Sequence, residues 1–559
     1  MTGVRTRLPG VVYLPDSEIE FYERAGVLTG QTLIGALRES FRRHAGRVAL
    51  SEPGLTVSYG ELDEISDRAA AALWRLGLRP TERALFQMRN CKELIYAFVG
   101  CLKIGVIPVC TLAAHREQEI AYLGNHAEAR IHFVHGDDAR FDMVGFALKM
   151  QPAMRTVGHI VASGVERPPA GVQALEALIA AEDAGTARAL VEGQKLDPFQ
   201  VALFQLSGGT SGIAKIIPRF SNEYRYTMQS VIDWLGLDCG MVAFTPNPLM
   251  HNAPMSCYWG PALLAGGEVA IAGGGSLAEI EATLAERRPS WIALAKVHML
   301  RLKEAGAVER LRLDNVHGFV VTDSAPVLSR MMGAPCLPIF GMTEGLLAFV
   351  RRDDPPAAFD TVGRPTSPFD HLRIVAPGTE SDVAEGQTGE LLVRGPCTIR
   401  GYYNAPERDA EAFTADGYYR SGDLMRLREI GGARYLVFEG RVKDVVDRGG
   451  EKINCAEVEN ALTLHPQVGA VACVAMPDAL YGERLCAFVV GRQDCAPPSL
   501  AALTGFLADY GLAKFKWPER LELIDDLPMT SSGKVSKPRM REMIVEILNR
   551  EAARRAPAA

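Results

Sequence analysis

The sequence predicts an α/β protein: a large N-terminal domain of two layered α/β lobes with a small β-rich unit, then a small α+β C-terminal domain. Three observations carry this. At 559 residues the chain is too long for one core, since a domain holds roughly 100–200 residues. Short apolar runs alternate with helical apolar spacing through the first 321 residues, the pattern of parallel sheets with helices on their faces. Between 361 and 440 the segments turn short and strand-like with recurrent Gly and Pro, and after Arg441 the pattern is mixed again.

Taken in order, residues 56–79 read as a strand leading into a helix that Ser58 caps, with Leu62, Ile65, Ala69, Ala72 and Leu73 at helical spacing. The apolar stretch 96–114 is broken by Lys103 and Pro108. It is too interrupted for a membrane span of roughly 20 apolar residues and reads as a buried helix followed by a buried strand. Strands are predicted at 83–87, 104–110, 131–134, 242–245, 268–272, 291–294 and 318–321, and in the β-rich unit at 372–375, 390–393 and 435–439. Beyond 441 a helix follows Asn454 through Val458, Ala461 and Leu462. Strands near 468–475 and 485–490 and helices near 499–510 and 537–553 then complete the C-terminal domain. The expected boundaries are thus 1–440, with the β-rich unit at about 361–440, and 441–559.

Hydrophobic residues at 48%, charged residues at 23% and a net charge of -7 fit a globular enzyme and give no basic footprint for nucleic acid. The 11 cysteines form no CxxC pair, so reduced thiols are expected rather than a disulfide frame or zinc site. No apolar run follows Arg5 and Arg7, so no signal peptide is read and a cytoplasmic location is expected.

The strongest chemical signal is Ser207-Gly-Gly-Thr-Ser-Gly-Ile-Ala-Lys215, directly after the apolar run 201–206. Gly208, Gly209 and Gly212 permit close backbone approach. Ser207, Thr210 and Ser211 add hydroxyls and Lys215 adds charge, a combination suited to phosphate. The Walker spacing is absent, and a plain Gly/Ser loop is the competing reading.

With this loop the chain resembles the adenylate-forming superfamily of acyl-CoA synthetases, carrier-protein adenylation domains and luciferases. Further stretches agree in order: Pro248-Leu-Met-His-Asn252, Phe340-Gly-Met-Thr-Glu344, Tyr419-Arg-Ser-Gly-Asp423, Gly440-Arg-Val-Lys-Asp444 with Arg448-Gly-Gly-Glu-Lys452, and Ser532-Gly-Lys534. Within it the chain is most similar to stand-alone aryl acid-AMP ligases for salicylate and 2,3-dihydroxybenzoate. That likeness rests on Ala114-His-Arg116, Ile217-Pro-Arg219, the run from Arg394 to Tyr403 and Leu512-Ala-Lys-Phe-Lys516.

The resemblance implies ATP, Mg²⁺ and a thiol, either CoA or a carrier-protein phosphopantetheine, as partners of a small aryl acid. It implies that Lys534 bridges carboxylate and α-phosphate during adenylation, as a cation placed where negative charge develops. Thr343 would contact the α-phosphate and Glu344 would help hold Mg²⁺, a hard ion that takes oxygen ligands. Asp423 would accept from the ribose diol, assisted by Arg441. Phe340 or its neighbour would flank the adenine beside Gly341, though a core aromatic is equally at home there. His251 would support the carboxylate, and Asn252 would bond an ortho-hydroxyl. Cys257 stands where salicylate enzymes carry Cys. Lys443 occupies the hinge position of a mobile C-terminal domain, and Gly449 and Gly450 would leave a channel for the thiol arm.

The chain departs from the aryl branch at several positions. Asp323 replaces a glycine and would bind the adenine amine or cap a turn. Ala253 replaces an aromatic, and Tyr258 and Trp259 replace smaller residues, which suggests a reshaped pocket and a substituted or bicyclic acid. Ser211 and Ala214 depart mildly from the usual Thr and Pro. The reading is therefore a ligase for a salicylate-like acid that ends on CoA, with carrier-protein loading as the alternative. A luciferase-like oxidoreductase and an inactive binding protein are the other classes; Lys534, Glu344 and Asp423 together argue against inactivity.

Overall fold

The computed structural model describes residues 4–136, 141–207, 214–322, 324–448, 451–493, 495–530 and 534–555. Ser58 caps the helix Tyr59–Arg75 by a reciprocal exchange with Glu61, the pattern that satisfies two orphan N–H groups at once. The stretch that raised the membrane question folds as the buried helix Lys92–Lys103 and the buried strand Ile107–Val109. Among the described residues no helix is long and apolar enough to cross a membrane.

Two sheets dominate the large domain. One has seven strands in the order Val172–Ala174, His159–Ser163, Ala129–His135, Arg83–Gln87, Ile107–Val109, Val201–Leu206 and Ile216–Phe220. All its pairings are parallel except the last, a hairpin. The other has nine strands, beginning at one edge with Arg364–Pro365, Leu347–Phe349 and Cys336–Gly341. It continues through Gly318–Val321, Trp291–Ala293, Val242–Phe244 and Glu268–Ala270 to Val48–Glu52 and Leu55–Ser58. Its centre is parallel and its edges are antiparallel. The largest apolar cluster draws Phe86 and Leu203 from one sheet, Ala243 and Trp291 from the other, and Phe41, Leu62, Val99 and Val231 from helices. A shared helical layer is thus buried between the two sheets, while separate clusters cover their far faces.

The β-rich unit is an antiparallel four-stranded sheet, His371–Val375, Gly389–Arg394, Tyr419–Ile430 and Ala433–Arg441. The C-terminal domain has its own sheet, in which Gly482–Gly491 pairs with Val468–Asp478 and with Arg520–Leu523. Its apolar cluster is separate from the rest and closes against the helices Cys455–Leu462 and Leu500–Asp509. Lys537–Arg555 packs on the other face, through Met540 and Ile544.

Candidate active site

Ligand sites of open parallel sheets lie beyond the carboxyl ends of their strands, and Ser207, His251 and Glu344 each follow such a strand. Strand Val201–Leu206 ends at Ser207, whose N–H donates to the Lys215 carbonyl at 3.0 Å. Its Oγ accepts from the Lys215 N–H at 3.2 Å. This pair closes the base of the phosphate-type loop; Gly208, Gly209, Thr210, Ser211 and Gly212 lie outside the described residues. The Lys215 ammonium sits 4.4 Å from the centre of the Tyr402 ring. Burial, together with the Arg408 and Lys443 charges, holds it below the ordinary lysine range against the pull of Glu344.

Glu344 sits in the tight turn between the antiparallel strands Cys336–Gly341 and Leu347–Phe349. It is buried and accepts from the Tyr402 hydroxyl at 2.9 Å, with the Tyr419 hydroxyl 3.2 Å from that of Tyr402. The turn is so close to the β-rich unit that a Cβ on Gly345 would come within 2.3 Å of the Cys397 carbonyl oxygen. Gly345 also has φ +148°, which favours glycine. The Thr343 carbonyl accepts from the guanidinium of Arg219. Arg219 is itself 1% exposed and pairs with Glu223 one helical turn on.

Asp423 and Arg441 lie opposite each other in neighbouring strands, with Arg441 Nε 3.1 Å from Asp423 Oδ1. Burial raises the Asp423 carboxyl to about 6, although Arg441 pulls it down. Phe340 is half-buried and packs 6.1 Å from Phe438, so one side of its ring is committed to the β-rich unit. Gly341 is exposed beside it, and a Cβ there would come within 2.7 Å of Leu347 Cδ2. Asp323 lies outside the described residues.

The acid-side residues follow strand Val242–Phe244. Asn90 from the other sheet fixes this loop by accepting from the Leu249 N–H at 2.8 Å and donating to the Asn247 carbonyl at 3.0 Å. His251 precedes a short helical turn that passes into a π-helical turn over Met255–Trp259. Such turns carry an extra residue and often mark functional sites. Burial lowers the His251 imidazole to about 4, with the Lys534 and His115 charges adding to the effect. It is therefore neutral near pH 7. Asn252 is half-buried and its amide oxygen accepts from the Tyr224 hydroxyl at 2.8 Å; Ala253 is exposed. Cys257 is fully buried with its thiol pushed up to about 12 by that burial, and its Sγ lies 3.5 Å from Ser256 Oγ. Tyr258 stacks on Trp291 at 5.9 Å. Trp259 meets Phe98 at 5.4 Å and donates to the Leu249 carbonyl. Both rings belong to the core, so the expectation that they reshape the pocket is corrected: the π-helical turn carries them into the apolar layer.

Lys534 closes the site from the C-terminal domain. Its N–H donates to Thr530 Oγ1 at 3.1 Å, and Met529 bridges Val535, so a hairpin presents it. Lys534 keeps solvent contact but is crowded by the cleft. Desolvation and then the Arg441 charge lower its ammonium, while Asp423 and Glu344 act to raise it. One lysine therefore interacts with the proposed ribose, metal and acid residues together. Lys443, expected as the hinge, is exposed in the turn Val442–Asp444. Its carbonyl accepts from Arg541 at 2.8 Å and Asp444 pairs with the same guanidinium, so the segment is latched to the last helix. Gly449 and Gly450 lie outside the described residues.

Two buried polar atoms here, His251 Nε2 and Asp423 Oδ1, lack a hydrogen-bond partner of good geometry among the described residues. Such atoms are costly inside a fold unless a ligand or water serves them. No cluster of three or more potential metal ligands occurs among the described residues. Glu344 is the carboxylate that would help hold a magnesium ion here, with oxygens of the substrate supplying further ligands. Residues missed from sequence are Arg219, Tyr224, Tyr402 and Tyr419. Arg219 and Tyr402 fell within quoted motifs, and Tyr419 opened one, but each reads there as an ordinary core or surface residue.

Comparison with known proteins bears on the family and the fold. The AMP-binding enzyme family matches residues 37–403, and the AMP-binding enzyme C-terminal domain matches 457–534. The chain is 35% identical to the 2,3-dihydroxybenzoate-AMP ligase of Bacillus subtilis, over 97% of this chain and 99% of that one. It is also 35% identical to a salicylyl-CoA synthase / salicylate adenylyltransferase of a Streptomyces species, over 96% of this chain and 98% of that one. Among solved structures, apo MbtA of Mycobacterium smegmatis superposes with a TM-score of 0.71 at 32% identity, covering 95% of this chain and 98% of that one. With both family models matched, one over most of the large domain and one over the C-terminal domain, the chain belongs to the AMP-binding enzyme family.

Proposed function

We propose that this enzyme activates a salicylate-like aromatic acid with ATP as an acyl adenylate and then transfers the acyl group to a thiol, with CoA as the acceptor. The observation that carries this is the electrostatic meeting of Lys534 with Asp423, Glu344 and His251 in one cleft. In the first half reaction a carboxylate oxygen attacks the α-phosphorus, the bond to the β-phosphate breaks and pyrophosphate leaves. The carboxylate is nucleophile enough, so the protein's work is positioning and charge stabilisation. Lys534 stabilises charge on the carboxylate and α-phosphate, and Thr343 contacts that phosphate. Asp423 and Arg441 hold the ribose, and neutral His251 supports the acid without adding a full charge. Glu344 would hold magnesium, which when bound neutralises phosphate charge.

In the second half reaction the thiol sulfur attacks the acyl carbon, AMP departs and the thiol proton is lost. The exposed turn at Lys443 supports a rotation of the C-terminal domain there. That rotation withdraws Lys534 and brings up the segment around Gly449 and Gly450. The salicylyl-CoA relative supports CoA; the resemblance to carrier-loading enzymes keeps a protein-bound phosphopantetheine as the second reading. Pyrophosphate exchange over benzoates, salicylates, naphthoates and heteroaryl acids tests the first half. Mass spectrometry of products with CoA against carrier protein tests the second. No exchange with any aromatic acid contradicts the proposal.

A further inference from the structure

Tyr224 is completely buried on the helix Ser221–Leu235, next to Glu223. Its hydroxyl donates to Asn252 Oδ1 at 2.8 Å, and this is its one hydrogen bond among the described residues. A phenol carries one proton; a side-chain amide carries one acceptor oxygen and two N–H donors. With the amide turned the other way, Tyr224 would accept from it and its own proton would be stranded in an apolar interior. That arrangement is unfavourable by the full cost of an unmet buried donor. The amide oxygen of Asn252 is therefore committed to Tyr224, and only the Nδ2 donors remain for anything else. The backbone is held as well, because Ser256 Oγ donates to the Asn252 carbonyl at 2.7 Å. Tyr224 also ties this side of the cleft to the other, with the Arg219 guanidinium 4.9 Å from its ring while that same group holds the Thr343 carbonyl.

We infer that Tyr224 is a positioning residue that makes Asn252 a donor-only contact, so that the site selects aromatic acids with a hydrogen-bond acceptor ortho to the carboxylate. This rests on the aryl-acid reading given above. Two chemical classes meet the requirement. An ortho-hydroxyl turns its proton to its own carboxylate and leaves an oxygen lone pair for the amide. A ring nitrogen beside the carboxylate offers a lone pair in the ring plane. An ortho-amino group does neither: its lone pair is delocalised into the ring and its N–H bonds face N–H bonds.

Pyrophosphate exchange by the full-length enzyme with salicylate, pyridine-2-carboxylate, anthranilate and benzoate tests this. In the unaltered enzyme, kcat/KM for salicylate and for pyridine-2-carboxylate exceeds that for anthranilate by at least about tenfold. Tyr224→Phe frees the amide to turn and narrows that gap several-fold, chiefly through KM for the acid. Asn252→Asp supplies acceptors only and shifts preference toward anthranilate. A role in packing alone would lower all four acids alike and leave their ratios unchanged. An unchanged ratio in Tyr224→Phe, or equal use of ortho-hydroxy and ortho-amino acids by the unaltered enzyme, overturns the inference and leaves the aryl-acid reading standing. Exchange with none of the four acids overturns the inference, and exchange with no aromatic acid of the wider panel removes the aryl-acid reading as well.

Discussion

Asp423 and Arg441 face each other across adjacent antiparallel strands, with the guanidinium Nε 3.1 Å from a carboxylate oxygen that otherwise has no well-aligned partner among the described residues. Arg441 ends its strand directly before the turn Val442–Asp444, so the proposed ribose residues lie next to the proposed hinge at Lys443. Burial holds the carboxyl at about 6. Its charge is therefore lost as pH falls through that value, and kcat/KM for ATP should drop below about pH 6 by up to tenfold per unit. Asp423→Asn should abolish this acidic limb while raising KM for ATP. A limb that persists in the variant belongs to another group.

The Tyr402 hydroxyl that meets Glu344 gives a second prediction. Tyr402→Phe removes one donor and should lower kcat/KM for ATP by roughly tenfold without unfolding the protein. Steady-state kinetics beside a thermal melt would separate the two effects, and an unchanged kcat/KM would show that this hydroxyl does not position the carboxylate.

Arg219 and Glu223 are 1% and 3% exposed and pair beneath the Thr343 turn. Removing one member leaves the other as an unmatched buried charge, a loss of about 3–5 kcal/mol. Arg219→Met should therefore destabilise strongly, while Arg219→Met with Glu223→Leu should recover much of the loss. Denaturant unfolding of both variants checks this.

Asp370 is half-buried with its Oδ1 enclosed, and burial raises its carboxyl from 3.8 to about 8. The folded chain thus keeps a proton that the unfolded chain releases. Its contribution is full below pH 3.8 and fades as pH rises toward about 8, at no more than about 1.4 kcal/mol per pH unit. Asp370→Asn should flatten this slope and raise the melting temperature near pH 8; a slope unchanged by the substitution would assign it elsewhere.

The fold was legible because strand and helix spacing alternate plainly along the chain, and the candidate charged residues stood out because each lies in a contiguous motif, as with Glu344 after Cys336–Gly341. The supporting residues did not. Arg219 meets Thr343 across 124 positions and Tyr402 meets Glu344 across 58, and nothing local in the chain announces either contact. Tyr258 and Trp259 were misread because a larger residue type says nothing of which way its ring faces, and here the π-helical turn Met255–Trp259 places both rings in the core. The orientation of the Asn252 amide likewise depends on Tyr224, 28 positions away, and only packing brings the two together.

The central claim is that Lys534 serves adenylation alone. The measurement is the rate of each half reaction in Lys534→Ala, with pyrophosphate exchange for the first and thioester formation from supplied acyl adenylate for the second. Exchange should fall by at least about a hundredfold, while thioester formation stays within a few-fold of the unaltered enzyme. Equal losses in both, or exchange at the normal rate, would contradict the account.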